Sequence, residues 1–89
     1  GRVSPREIEN VLYEMPEVEE TAVIGVDHEI LGQAVKAFVV VKMGSILTKD
    51  AVLKHCAEQL ENYMVPKFVE FRESLPKSSH GKIDKKELQ

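Results

Sequence analysis

With 89 residues, 43% of them apolar and 30% charged, the chain suits one small globular domain and is too short for two. Its longest apolar run, Ala37 to Val41, is far shorter than a membrane span, and no signal-peptide pattern opens it. A net charge of −3 without an aromatic-interleaved basic patch argues against nucleic-acid binding, and a lone cysteine, Cys56, excludes an internal disulfide and fits a reducing, cytoplasmic setting.

In "SPREIENVLYEM" (4–15), Ser4 is suited to cap a helix and Pro5 to open it, with Glu7 at capping-box spacing. Ile8, Val11, Leu12 and Met15 recur at i, i+3, i+4 and i+7, one apolar stripe, and Pro16 stops the helix. "TAVIGV" (21–26) reads as a buried strand. "DHEILGQ" turns the chain with Gly32 as pivot, and "AVKAFVVVK" (34–42) is a second strand rich enough in Val and Phe to be central. Gly44 and Ser45 break the pattern. Thr48 then caps a second helix whose apolar positions are Leu53, Cys56, Ala57, Leu60 and Met64. After Pro66, "KFVEFR" (67–72) is a third short strand. An irregular loop, "ESLPKSSHG" (73–81), leads to "DKKELQ" (84–89), where Asp84 and Glu87 again stand at capping-box spacing. The plan is a small α+β domain, a three-stranded sheet packed against two helices, with a C-terminal loop and a short helical turn.

The charges are unevenly placed. Residues 1–33 carry eight acids against Arg2 and Arg6, whereas from Lys67 onward six bases meet Glu70, Glu73, Asp84 and Glu87. A weakly basic tail fits a phosphate-bearing small ligand or a solvated face, and charge alone favours the solvated face.

Most familiar chemistries fail on spacing. His55 and Cys56 are neighbours on a helix, so they point about 100° apart and cannot chelate together. Neither His28 nor His80 has ligand-like spacing, so no metal site is expected. Ser78 and Ser79 lack the glycine frame of a nucleophile elbow. "HGKI" is not a P-loop, because Pro76 stands where G-x-x-x-x-G-K-S/T needs glycine and Ile83 offers no hydroxyl. There remains Lys82, a long point charge beside Gly81 on a loop expected to be mobile, suited to meeting developing negative charge. On spacing alone it is better read as one more solvated lysine beside Lys77, Lys85 and Lys86.

The motifs shift that balance. "LPKSSHGKIDKKEL" (75–88) resembles the closing signature of the adenylate-forming superfamily, L-P-K/R-T/S-x-x-G-K-I/V-x-R/K-x-x-L. That group holds acyl- and aryl-CoA synthetases, firefly luciferase and the adenylation domains of nonribosomal peptide synthetases. "GRVSPREIENVL" (1–12) is similar to the opening signature of the same family's C-terminal domain, and "AVIGVDHEILGQAVKAFVV" (22–40) to the segment between. Gly1 directly precedes Arg2, where the family usually has one residue between, and Gln33 replaces the usual glutamate after Gly32. "SPREIE" is closer to the CoA-synthetase branch than to the peptide-synthetase branch.

The resemblance implies that residues 1–89 form the mobile C-terminal lid of an AMP-forming acid:CoA ligase, inactive without a large N-terminal domain that this chain lacks. The full enzyme would use ATP, Mg2+ and coenzyme A to convert a small carboxylic acid to its acyl-adenylate and then to a thioester. Lys82 would be the catalytic lysine of the first step, with Gly81 supporting its loop. Gly1 and Arg2 would face the coenzyme A tunnel in the second. A free-standing, non-catalytic binding module of the same fold, or a peptide-synthetase adenylation domain, are the alternatives.

Overall fold

The computed structural model describes residues 3–89. Helix α1 (Pro5–Tyr13) starts as its sequence dictates, with Ser4 Oγ accepting the Glu7 amide hydrogen at 3.3 Å and Pro5 at the first position, where no amide donor is needed. It ends two residues before the expected Met15. The amides of Glu14 and Met15 bond three residues back, tightening the last turn ahead of Pro16. Strands β1 (Val18–His28) and β2 (Gly32–Val41) form an antiparallel hairpin, and Gly32 takes the left-handed φ of 77° at which glycine is favoured. His28 completes the turn, its Nδ1 accepting the amide hydrogens of Ile30 and Leu31 at 3.2 and 3.1 Å. Strand β1 is longer than the apolar run alone suggests, because Val18 and Glu20 pair across a bulge with Val41 and Val40.

Helix α2 (Lys49–Gln59) is capped by Thr48 Oγ1, which accepts from the Ala51 amide at 3.1 Å. Its buried stripe is Val52 and Cys56, continued by the capping residue Leu60 in extended conformation. Leu53 is half-buried, Ala57 is exposed, and Met64 lies beyond the helix in a 3-10 turn (Asn62–Met64). The expected apolar face was therefore misplaced by part of a turn: Val52 and Cys56, four apart, face the sheet. Strand β3 (Phe68–Phe71) pairs in parallel with β2, so the sheet order is β1-β2-β3 with β2 at the centre. A final 3-10 turn (Lys85–Leu88) is opened by Asp84, whose Oδ1 accepts the Lys86 amide hydrogen at 3.1 Å.

Both faces of this small sheet are covered. One face packs Val23, Val35 and Ala37 against Ile8, Val11 and Leu12 of α1 and Val52 and Cys56 of α2. The other carries Ala22, Ile24, Phe38 and Val40, and what covers it is the C-terminal segment, through Leu75, Ile83 and Leu88. Burial on both sides explains the unbroken buried runs Thr21–Ile24 and Ala37–Val40, which do not alternate as a half-exposed sheet would. The outer edge of β1 is closed by side chains of α1. Tyr13 Oη accepts from the Thr21 amide at 3.1 Å, and Glu9 Oε2 accepts from the Val23 amide at 2.8 Å. Two edge-strand donors are thereby satisfied and the edge is blunted against pairing with other chains.

Leu88, one residue from the end, is thus a core residue. Leu88→Ala should destabilise the domain by about 2–3 kcal/mol, the cost of deleting a buried leucine side chain. Urea unfolding measures it, and a change under about 0.5 kcal/mol would mean that the tail does not seal the sheet. Burial also pushes the Cys56 thiol up to about 11, because the thiolate would lose its hydration. At pH 8 its thiolate fraction is then roughly two orders of magnitude below that of a free cysteine. Disulfide-exchange labelling should be slower by at least about a hundredfold in native protein and become fast on unfolding.

Candidate functional site

The segment carrying Lys82 is a hydrogen-bonded hairpin and not the irregular loop its composition suggests. Leu75 anchors it in the core, Lys77 and Ile83 pair as an antiparallel bridge, and the Asp84 amide donates to the Pro76 carbonyl at 2.8 Å. Above the bridge, the Ser78 amide donates to Lys82 O at 2.7 Å and the Gly81 amide to Ser78 O at 2.9 Å. The Ser78 hydroxyl oxygen accepts from the His80 amide at 3.3 Å. Gly81 has a φ of 78° and a Cβ there would meet nothing within 4 Å, so glycine is needed for its backbone conformation alone. This is a tight turn followed by a left-handed glycine, an arrangement that closes short hairpins. Ile83 tucks against the second apolar cluster.

Lys82 is exposed at the tip, and among the described residues no carboxylate lies within ion-pairing distance of it. Two of the three lysines read as its solvated companions are not solvated in that sense. Lys77 Nζ lies 3.0 and 2.8 Å from the two carboxylate oxygens of Glu20, and Lys85 Nζ lies 2.8 Å from Glu9 Oε2. Glu9 and Glu20 had no place in the sequence reading. Their one signal was the acidic excess of the first third, set against bases in the tail.

A second charged group lies on the same sheet face as Phe38. Glu70 bonds Arg72 at 2.7 Å and Lys36 at 3.0 Å, and both cations approach the Phe38 ring. The Arg72 guanidinium, and then Lys36, hold the Glu70 carboxyl below its ordinary range. The pairing is therefore complete above the ordinary carboxylate range, persists through it, and is lost only as pH falls further, through the lowered folded-state titration.

The histidines serve structure. His55 Nε2 sits 3.0 Å from both Val11 O and Glu14 Oε1, tying α2 to the end of α1, and His28 holds the β1–β2 turn. Among the described residues no group of three or more His, Cys, Asp or Glu is placed to hold a metal ion. No helix among the described residues is long and apolar enough to cross a membrane. Gly1 and Arg2, assigned by resemblance to a coenzyme A tunnel, lie outside the described residues. Beside their neighbour Val3, on the α1 face of the sheet, is an apolar cavity of about 470 Å3, lined in part by Gly25, Leu31, Gln33, Tyr63 and Lys67.

The chain is similar to other proteins along nearly its whole length. The chain is 52% identical over 86 residues to a long-chain-fatty-acid–CoA ligase of Yersinia pestis, with 97% of this chain and 15% of the relative aligned. It is 41% identical over 87 residues to a crotonobetaine/carnitine–CoA ligase of Proteus mirabilis, covering 98% of this chain and 17% of that one. The ATP-bound crystal structure of MatB from Rhodopseudomonas palustris superposes with a TM-score of 0.93 at 40% identity, over 97% of this chain and 17% of MatB. The chain thus spans about a sixth of the length of these proteins. The AMP-binding enzyme C-terminal domain family matches residues 7–82, from the first turn of α1 to the hairpin lysine. That span includes most of α1, the β1–β2 hairpin and the Gly81–Lys82 pair, and the chain is a member of the AMP-binding enzyme C-terminal domain family.

Proposed function

We propose that this chain is the C-terminal catalytic lid of an AMP-forming carboxylic acid:CoA ligase, acting with a large N-terminal domain that binds the acid and most of ATP. The observation that carries this reading is the state of Lys82. It is an exposed cation in a hydrogen-bonded hairpin with no carboxylate partner among the described residues, while Lys77 before it and Lys85 after it are engaged with carboxylates. The relatives named as CoA ligases support the thiol acceptor, and make the peptide-synthetase alternative the weaker one.

In the first half-reaction a carboxylate oxygen attacks the α-phosphorus of ATP, the bond to the leaving phosphate oxygen breaks, and pyrophosphate departs. Lys82 holds the carboxylate in line and meets the charge on the transferring phosphoryl group. Magnesium would accompany ATP in the full enzyme and neutralise phosphate charge there. In the second half-reaction the thiol sulfur of coenzyme A attacks the acyl carbon, giving up its proton, and AMP leaves. The lid rotates between the two, withdrawing Lys82 and presenting the surface around Gly1 and Arg2. Two features support two working surfaces. The hairpin is anchored on one face of the sheet, and α1, which follows residues 1–3, packs on the other. The apolar cavity beside Val3 lies on the α1 side, with Lys67 as a cation at its rim.

The half-reactions separate the roles. In the full-length enzyme Lys82→Ala should slow acyl-adenylate formation by at least about a hundredfold, the scale of losing one transition-state charge stabiliser. Supplied with preformed acyl-adenylate and coenzyme A, the same variant should form thioester within about twofold of the normal rate. Lys86→Ala, removing an exposed charge outside the hairpin, is the control and should change neither step. Equal damage to both steps by Lys82→Ala would sink the two-surface reading, and an unaffected first step would make Lys82 an ordinary surface lysine. Gly81→Ala forces a side chain into the left-handed region at a cost of about 1–2 kcal/mol. It should lower the melting temperature and slow the first half-reaction more than the second.

A further inference from the structure

We infer that the ion pairs Lys77–Glu20 and Lys85–Glu9 are positioning devices that aim Lys82, a step that rests on the reading of Lys82 as the adenylation lysine. The hairpin is held to itself by a single strand-like bridge, Lys77 with Ile83. One bridge fixes the turn but leaves the direction in which it leans over the sheet to be set by other contacts. Leu75, Ile83 and Leu88 supply apolar anchors on one sheet face. Such contacts are non-directional, so they hold depth better than angle.

The two lysines supply the angle. Lys77 lies five residues before Lys82 and Lys85 three after it, so the clamps stand on opposite sides of the tip. Both reach the same flank of the molecule. Glu20 projects from β1, and Glu9 projects from α1 across the outer edge of β1. One acceptor, Glu9, is itself fixed. Glu9 Oε2 takes the Val23 amide hydrogen at 2.8 Å as well as Lys85, and the Glu9 side chain is only 18% exposed. Glu20 meets the Lys77 ammonium with both oxygens, and Lys77 also donates to the Leu75 carbonyl at 3.4 Å. The hairpin is thus fixed by an apolar base and two charge contacts along one sheet edge. Partly exposed ion pairs add little to net stability. Their contribution here is geometric, because a displacement of about 1 Å in a catalytic group costs about a hundredfold in rate.

The test uses the full-length ligase and measures each half-reaction for Glu20→Lys, Lys77→Glu and the exchanged pair, and for Lys85→Gln and Lys85→Arg. Glu20→Lys, Lys77→Glu and Lys85→Gln should each lower kcat of adenylation by about tenfold, a part of the misplacement cost, leaving KM for ATP and the thioester step nearly unchanged. The exchanged pair and Lys85→Arg should recover most of the loss. Amide exchange at Ser78 and Asp84 should quicken in the single variants and slow again in the exchanged pair. Absence of recovery, equal loss in both half-reactions, or singles that adenylate at the normal rate would each overturn the inference. Lys82→Ala, run alongside, separates the two levels: if it spares adenylation, the proposed function fails, and if it abolishes adenylation while the clamp variants are normal, only the positioning role fails.

Discussion

The domain depends on the burial of both faces of β2. This strand is central in a sheet of only three, and four consecutive residues, Ala37 to Val40, are buried. The helices cover the face bearing Val35 and Ala37, and Phe38 and Val40 on the other side need a cover of their own. Exposing a phenylalanine and its aliphatic neighbours would forfeit about 1.5–3 kcal/mol for each large side chain, a large share of the stability of so small a domain. The chain meets this need with its last fifteen residues. Leu75, Ile83 and Leu88 form the second layer, and the Lys82 turn is the excursion between the first two of them. The position of the lysine follows from the way the sheet is sealed.

The same geometry explains the charge distribution. An acidic first third and a basic tail suggest a chain built to attract something from outside, and the structure turns much of that contrast inward. Glu9 and Glu20 receive Lys85 and Lys77, and Glu9 also satisfies a strand-edge amide. A carboxylate placed there blocks edge pairing and meets a cation from the tail with one group. Of the lysines between residues 77 and 86, Lys82 and Lys86 are then the two with no carboxylate partner among the described residues. Lys82 alone of these follows a left-handed glycine in the turn.

The sequence made some of this legible because local rules sufficed. The Ser4 and Thr48 caps and the Gly32 pivot rest on contacts within a few residues, the three strands show in runs of β-branched and aromatic residues, and all are present. Where tertiary contacts decide, the reading slipped. Helix α2 carries apolar residues on more than one side, so spacing did not select Val52 over Ala57; the sheet did. The hairpin at 75–84 reads as a loop because its small polar residues have no strand periodicity, and its bridge involves one residue pair. The motif picked out Lys82 without showing what holds it. Glu9 and Glu20 lie 76 and 57 positions from their lysines, a separation at which no local pattern survives.

An ordered hairpin suits the proposed chemistry better than a mobile loop. A cation that must stabilise charge in one half-reaction and be absent in the other needs two well-defined positions. A flexible loop would give a distribution of positions and lose to entropy part of what the charge contributes. If the lysine is fixed to its domain, a rigid-body rotation carries it in and out as a unit, and the electrostatic preorganisation is restored with each return. The apolar base and the paired carboxylates make the hairpin part of the rigid body, so under the proposed function the freedom needed for alternation would belong to the connection with an N-terminal domain. On this view the turn glycine shapes the tip without acting as the hinge. The ammonium of Lys82, which has no carboxylate partner among the described residues, is kept available because Lys77 and Lys85 neutralise Glu20 and Glu9.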